Sequence, residues 1–509
     1  MSHTATIVAR RAGAREWVAL VVLTLAVMLL AVDATVLALA VPALTEALRP
    51  TALEVLWIGD IYSFAIAGLL VTMGNVADRI GRKRLLMIGA VAFGAASVLG
   101  AFSATPAVLI AARALLGLAG ATIMPSTLAI IRDMFRDDRQ RTQAIAVWSV
   151  GFTVGSAAGP LVGGLLLEHF WWGSVFLINV PVMVLVVGLG IFLLPESRNP
   201  NPGPIDLWSS ALSLLAIVPV VYGIKHAAKG DLGALTFAAF ALGIGAGWAF
   251  VRRQRRLDHP LVDVELFRNP AFSGAIAANV VSIFAGTGLL FFFSQYLQLV
   301  RGFSPLQAGL GELPMAIGAV TIVAAVALLV ARWGRGNAMG AGLAVMALGL
   351  AALVVAESLP GYAWFAVALV VIGTGMGLAG AVATDAVVGA VPRERAGAAS
   401  SISEMGIELG AALGIAVLGS LQTAIYRGAL ALPPDAPAPL RAAAGESLPQ
   451  LADAAHRTGG AEAVLAAGRE AFTVAMQSAT GIAAVLTAAA AVIAWRFVPS
   501  ERHAPSAAH

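Results

Sequence analysis

Apolar residues in this chain form long runs, separated by short stretches where arginine, aspartate, glycine and proline collect. A hydrocarbon layer about 30 Å thick needs roughly 20 apolar residues of α-helix to cross it. Runs of that length lie near 17–43, 55–77, 85–102, 107–130, 144–167, 174–194, 207–224, 233–251, 272–297, 308–331, 338–356, 363–390, 398–424 and 472–495. The pattern predicts an all-α membrane protein of fourteen transmembrane helices with both termini on one side. The first run outlasts the roughly 7–15-residue core of a signal peptide, so it reads as a retained span.

Composition supports lipid as the outer solvent. Of 509 residues 59% are hydrophobic and 12% charged, with a mean hydropathy of +0.87. A soluble domain carries about 25% charged residues. With no cysteine, disulfide and thiolate chemistry are excluded. The net charge of +4 does not mark a nucleic-acid partner, because the arginines sit in short loops between spans. With the N-terminus cytoplasmic, about 23 Lys/Arg fall inside, including Arg82, Lys83, Arg84, Arg136, Arg139, Arg141, Arg252, Arg253, Arg255 and Arg256, against about 8 outside. Both termini are therefore expected in the cytoplasm, with the chain in a bacterial cytoplasmic membrane.

Proline-rich 195–204 follows the sixth span and suggests a six-plus-two-plus-six division. Residues 1–198 would form one six-helix bundle, 199–258 a linker carrying two inserted helices, and 259–509 a second bundle. The outer segment 427–470 begins with Pro433 and Pro434, then becomes Ala-rich; with breaks at Ser447 and Gly459-Gly460 it reads as a small helical hairpin, a floppy loop being the alternative.

Three motifs carry chemistry. Gly74, Asp78, Arg79, Gly81 and Arg82 lie in the turn between spans two and three, where glycine permits a tight turn and Asp78 can accept bonds from arginines. Leu109, Arg113 and Gly117 lie in span four, with Arg113 roughly 10 Å deep, where it must be paired or snorkel to water. In span five Gly151, Gly155, Gly159, Pro160, Gly163 and Gly164 give a close-packing face and a bend. Together these strings resemble the major facilitator superfamily, and the span-five string resembles its antiporter signature. Asp33 to Pro42 in span one, Trp57, Asp60 and Tyr62 in span two, and Trp172, Phe176, Asn179 and Pro181 at span six extend the likeness to the fourteen-span drug:proton antiporters of the QacA/SmvA/LfrA type. Leu166 to His169 and the 195–204 stretch look most like the LfrA branch, and the likeness covers essentially the full length. It implies the major facilitator fold, with the span-two loop latching the two halves.

Ionisable residues within spans are costly and tend to mark pathways. Asp33, Asp60, Glu312, Glu404 and Glu408 are the candidates for proton coupling and cation binding. Asp33 and Arg113 lie at comparable depth and are expected to approach each other. Glu404 and Glu408, one turn apart, share a face; snorkelling to the cytoplasmic surface is the competing reading for Glu404. Glu312 lies two turns outward of the position where related exporters carry an acid, so its place in the cavity is open. Asp385, near the end of its span, reads as a structural partner. Trp57, Tyr62, Trp148, Phe152, Phe176, Phe292 and Tyr296 are candidates for cation–π contact with cargo. The glycines at 373, 375, 377 and 380 read as helix packing rather than nucleotide binding.

No Walker motif, metal-ligand cluster or nucleophile triad is visible, so no cofactor, metal or enzymatic reaction is expected, and the proton gradient would drive transport. The expected function is proton-coupled export of lipophilic cations (quaternary ammonium compounds, dyes, biguanides, with fluoroquinolones as a further candidate) by a monomer in lipid. The alternative is a dedicated exporter of one antibiotic or metabolite.

Overall fold

The computed structural model describes residues 12–199, 205–392, 395–458 and 461–500. The prolines and glycine at 200–204 and the Gly459-Gly460 break lie outside the described residues.

Fourteen helices among them are long and apolar enough to cross a membrane. They are α1 (Ala14–Leu48), α2 (Ala52–Ile80), α3 (Arg82–Ala101), α4 (Pro106–Met134), α5 (Asp138–His169), α6 (Ser174–Leu193), α7 (Leu207–Ala228), α8 (Ala234–Gln254), α9 (Pro270–Leu299), α10 (Pro305–Trp333), α11 (Arg335–Ala356), α12 (Ala363–Gly389), α13 (Gly397–Ala429) and α16 (Glu462–Phe497). Between α13 and α16 lie two short helices, α14 (Ala438–Glu446) and α15 (Leu448–Thr458), parted at Ser447. They form a hairpin on one face of the molecule, the hairpin face. The arginine-rich turns lie on the opposite, basic face.

Six of the spans begin on a polar cap. Thr51, Thr105, Asp137, Asp206, Asn269 and Ser304 each accept a bond from a first-turn backbone N–H, satisfying a donor the helix cannot. The predicted spans match the observed ones to within a few residues, apart from the last. That helix starts at Glu462, ten residues before the predicted 472, because hydropathy cannot see a helix continuing past the membrane into water.

Small residues set the packing. Along α5, a Cβ at Gly151 would strike Thr24, at Gly155 the Met28 carbonyl, at Gly159 Thr35 and at Gly163 Val36, all on α1. The α1 and α5 backbones therefore meet along their length. The α12 glycines serve the same end: a Cβ at Gly373 would meet the Met315 carbonyl and one at Gly375 the Met346 backbone. Packing is their role, as expected.

The most apolar windows of α7 and α8 are 22% and 17% buried, against 67% and 72% for α1 and α2, so this pair is peripheral. α8 packs on α7, and α7 packs against α2 and the hairpin-face half of α13. There Ile217 and Val221 of α7 meet Phe64 of α2 and Ala412 and Ala416 of α13. α7 thus spans the seam between residues before 199 and residues after 259. Opposite it, Gly414–Leu418 of α13 forms a π-helical turn.

Hydrogen bonds joining these two parts lie towards the hairpin face. Gln298 donates to the Leu39 carbonyl, Leu306 N–H to Glu168, and Gln450 to the Pro50 carbonyl. Arg49 and Asp453 pair at 3.6 Å. On the basic face, among the described residues, no hydrogen bond or ion pair joins 12–199 to 259–500. The bonds towards the hairpin face hold the molecule closed there.

Candidate functional site

Three polar clusters occupy the helical interior. The first gathers on Asp33. Gly117, one turn past Arg113, lacks a side chain where α4 crosses α2; a Cβ there would strike the Tyr62 carbonyl. That close approach lets Arg113 reach across α2 to α1. Its Nη1 donates to Asp33 Oδ2 at 2.8 Å and its Nε to the Ile58 carbonyl at 3.1 Å. The guanidinium lies 4.5 Å from the Tyr62 ring centroid. Asn179 of α6 donates to Asp33 Oδ1 at 2.7 Å and to Ser97 of α3 at 3.1 Å. Both Asp33 and Arg113 are 1% exposed, which rules out snorkelling for the arginine. Five helices converge on one ion pair. Removing either partner would strand the other charge in a dry interior.

The second cluster lies nearer the hairpin face. Asp60 of α2 pairs with Lys225 of α7 at 2.7 Å, both side chains fully buried. Lys225 Nζ also sits 3.6 Å from the Trp57 ring centroid. The sequence reading missed Lys225. It ended the seventh span at 224, since a basic residue closes an apolar run, whereas the helix continues to Ala228. An available signal was Asp60 itself, a buried acid with no cation assigned to it.

The third cluster comprises acids without a basic partner. Glu404 and Glu408 of α13 are half-buried. Glu408 lies beside Ser63 and Tyr62, which brings it near the Asp33 cluster. Among the described residues neither glutamate has an ion-pair partner. Glu312 of α10 is 4% exposed and lies beside Ser294 of α9, with one carboxylate oxygen unpartnered. Asp385 pairs with Arg335 at 2.6 Å, the structural role expected of it.

The aromatic candidates separate. Trp57 and Tyr62 stack on buried cations. Trp148 donates its indole N–H to Thr127 at 3.1 Å, and Phe152 on the same helix is half-buried. Phe292, with Gln295, Gln422, Tyr426 and Phe472, lines a small cavity beneath the hairpin. Two expectations need correction. Phe176 is 1% exposed and packs edge-on to Trp172 and against Gly100 of α3, so it is core. Tyr296 donates to the Glu357 carbonyl and accepts from Arg301, which places it in a hairpin-face network rather than a cargo cavity.

The turn between α2 and α3 carries its own network. Arg82 bonds Asp78 at 2.8–2.9 Å and contacts Asp133 of α4. Asp78 accepts from Asn199 through its carbonyl and its carboxylate, and Arg82 N–H donates to the Ser197 carbonyl. Gly81, at φ +115°, has the Glu196 carboxylate where a side chain would stand. Arg79 is exposed, and Gly74 faces Pro125 of α4. All these partners precede residue 200, so these bonds clasp the turn to α4 and to the stretch after α6.

The profile of the Major Facilitator Superfamily matches residues 23–415. The chain belongs to that superfamily. This facilitator is 44% identical over 95% of its length to the multidrug efflux pump LfrA of Mycolicibacterium smegmatis, covering 96% of that protein. It is 38% identical over 90% of its length to the methyl viologen resistance protein SmvA of Salmonella typhimurium, 93% of which is covered. The tetracenomycin C resistance and export protein of Streptomyces glaucescens is 33% identical over 80% of the chain and 76% of its own length. Among solved structures, a bacterial homologue of the lysosomal transporter Spinster superposes with a TM-score of 0.67, at 18% identity, over 95% of this chain and 98% of that one. The facilitator fold with fourteen spans is thereby fixed, and the chain is a multi-pass membrane transporter.

Proposed function

We propose that this facilitator is a proton-coupled exporter of lipophilic cations, taking cargo from the cytoplasm at its basic face and releasing it at the hairpin face. One observation carries this reading. Glu404 and Glu408 lie half-buried and without a basic partner on α13, beside α2, at the seam between the halves. A carboxylate so placed has two available counter-ions, a proton or a positively charged cargo, and holding one excludes the other. Exchange follows if the two faces open alternately about that site. Asp33 takes a different part: already paired with Arg113, it holds α1, α4 and α6 in register beside the exchange site. Relatives named for multidrug efflux and methyl viologen resistance support a cationic cargo.

The test is transport of ethidium into inside-out proteoliposomes under an imposed pH gradient, acidic inside, comparing wild type with Asp33→Asn and Glu408→Gln. Uphill accumulation that collapses with the gradient and is lost in Glu408→Gln is expected. Accumulation by Glu408→Gln at the wild-type level would overturn the exchange site. The similarity to a tetracenomycin C export protein favours a second reading, export of one antibiotic or metabolite. Resistance to a single compound across a susceptibility panel in pump-deficient cells would select it.

A further inference from the structure

Lys225 comes from α7, outside the helices that build the Asp33 cluster, yet it is held as a bound cation would be. Trp57 and Asp60 stand three residues apart on α2 and so share a face. One supplies an aromatic ring, the other a carboxylate, and between them sits an ammonium, 3.6 Å from the ring centroid and 2.7 Å from Oδ2. A ring and an acid converging on one point form the recognition element for an organic cation. The contact is a buried, charge-assisted one between an ammonium and a carboxylate with the ring face beside it. Charge and the ring face are the two features of this pair that an organic cation lacking N–H could also use.

The lysine also has somewhere to go. With Leu53, Leu56, Ser420 and Lys229 it lines a crevice towards the hairpin face, between α2, α7 and α13. Its four-carbon stem can swing there and carry its charge to water. Arg427 shares the crevice, and Arg113 is the next cation along from Asp60.

We infer that Trp57 and Asp60 form a second subsite for lipophilic cations, occupied in the outward-closed state by Lys225 as a tethered competitor that cargo displaces on its way out. The inserted helices then take part in cargo release. This rests on the proposed cationic cargo.

Two measurements with tetraphenylphosphonium on the purified full chain test it. Binding is compared for wild type, Lys225→Met, Asp60→Asn and the double variant. Removing the competitor should tighten binding about tenfold, and Asp60→Asn should erase the gain. In the wild type, amine-reactive footprinting should find Lys225 shielded alone and labelled once the cation is bound, a readout that needs no variant to fold. Lys225 shielded with and without bound cation, or equal or weaker binding by a folded Lys225→Met, would overturn the inference and leave the pair a clamp between α7 and α2. Absence of binding to any form would overturn the cationic-cargo reading as well.

Discussion

Neutralising Asp33 leaves the Arg113 guanidinium buried with no counter-charge, while the Asn179 contact survives in altered form. Breaking one side of a buried pair costs about 3–5 kcal/mol, whereas replacing both partners by apolar groups is often neutral. Asp33→Asn should therefore lower the thermal midpoint sharply, and Asp33→Asn with Arg113→Met should recover most of the loss without recovering transport. Midpoints in detergent followed by tryptophan fluorescence check this; a double variant as unstable as the single would argue against pairing as the main term. Glu357, just past the end of α11, makes a separate case. Burial pushes its carboxyl well above the usual range, against the opposing pull of Arg301 and Thr480. In the unfolded chain it ionises near the ordinary value of about 4.3. Above that pH the native state keeps a proton that the unfolded chain has lost, so this contribution is full in acid and shrinks as pH rises. Glu357→Gln should thus melt above wild type by a margin that widens from pH 5 to pH 8. Parallel curves would remove Glu357 as the cause. Residue chemistry was partly legible beforehand: Asp33 and Arg113 shared a depth and opposite sign, but nothing in their spacing brings in Asn179 or Ser97, which only the convergence of α3 and α6 supplies.

At the scale of elements, the α5 glycines allow the sharpest comparison. At Gly155 a side chain would meet backbone on α1, which cannot rotate away, while at Gly188 of α6 nothing lies within 4 Å. Gly155→Val should push α1 and α5 apart, destabilise by about 1–3 kcal/mol and abolish transport, whereas Gly188→Ala should leave melting and transport unchanged. Melting and proteoliposome flux measured together decide it; a fully active Gly155→Val would mean that the contact can open freely. The span-five string was legible because glycine at a four-residue spacing has one physical meaning in a membrane helix, a close backbone neighbour, although the neighbour's identity was not. Span limits were legible where a cap or a basic turn ended the apolar run. They failed at Lys225, where a charge belongs to the helix interior, and at Glu462, where a helix outlasts its membrane segment. Hydropathy measures affinity for lipid and is blind to both. The hairpin of α14 and α15 was readable from composition and the Ser447 break, and it docks through buried Leu440, Ala444, Leu448 and Leu451, with Glu446 facing Arg427 at 3.5 Å and Lys229 at 4.0 Å at the edge.

For the whole molecule, the distribution of contacts between the halves predicts a state that can be trapped. At the hairpin face α5 meets α10 closely: Gly164 packs on Pro305 and Leu306, Gly309 on the Pro160 carbonyl, and Leu306 N–H reaches Glu168 at 3.4 Å. Alternating access requires these contacts to part while the basic face closes. The chain has no cysteine, so an introduced pair reports without background. Glu168→Cys with Leu306→Cys, bridged by a short bis-methanethiosulfonate, should hold the hairpin face shut. Transport should stop on cross-linking and return on reduction, while cargo still binds at the half-buried glutamates of α13, which lie away from the cross-linked contact. Each single cysteine should transport normally with the same reagent. A cross-linked protein that still transports would mean that the hairpin face opens elsewhere, and the α2–α13 seam bridged by α7 would be the remaining place. Tethering Lys225 as well as the α5–α10 contact would then be needed to stop flux, so the two cross-links together distinguish a single gate from a pair.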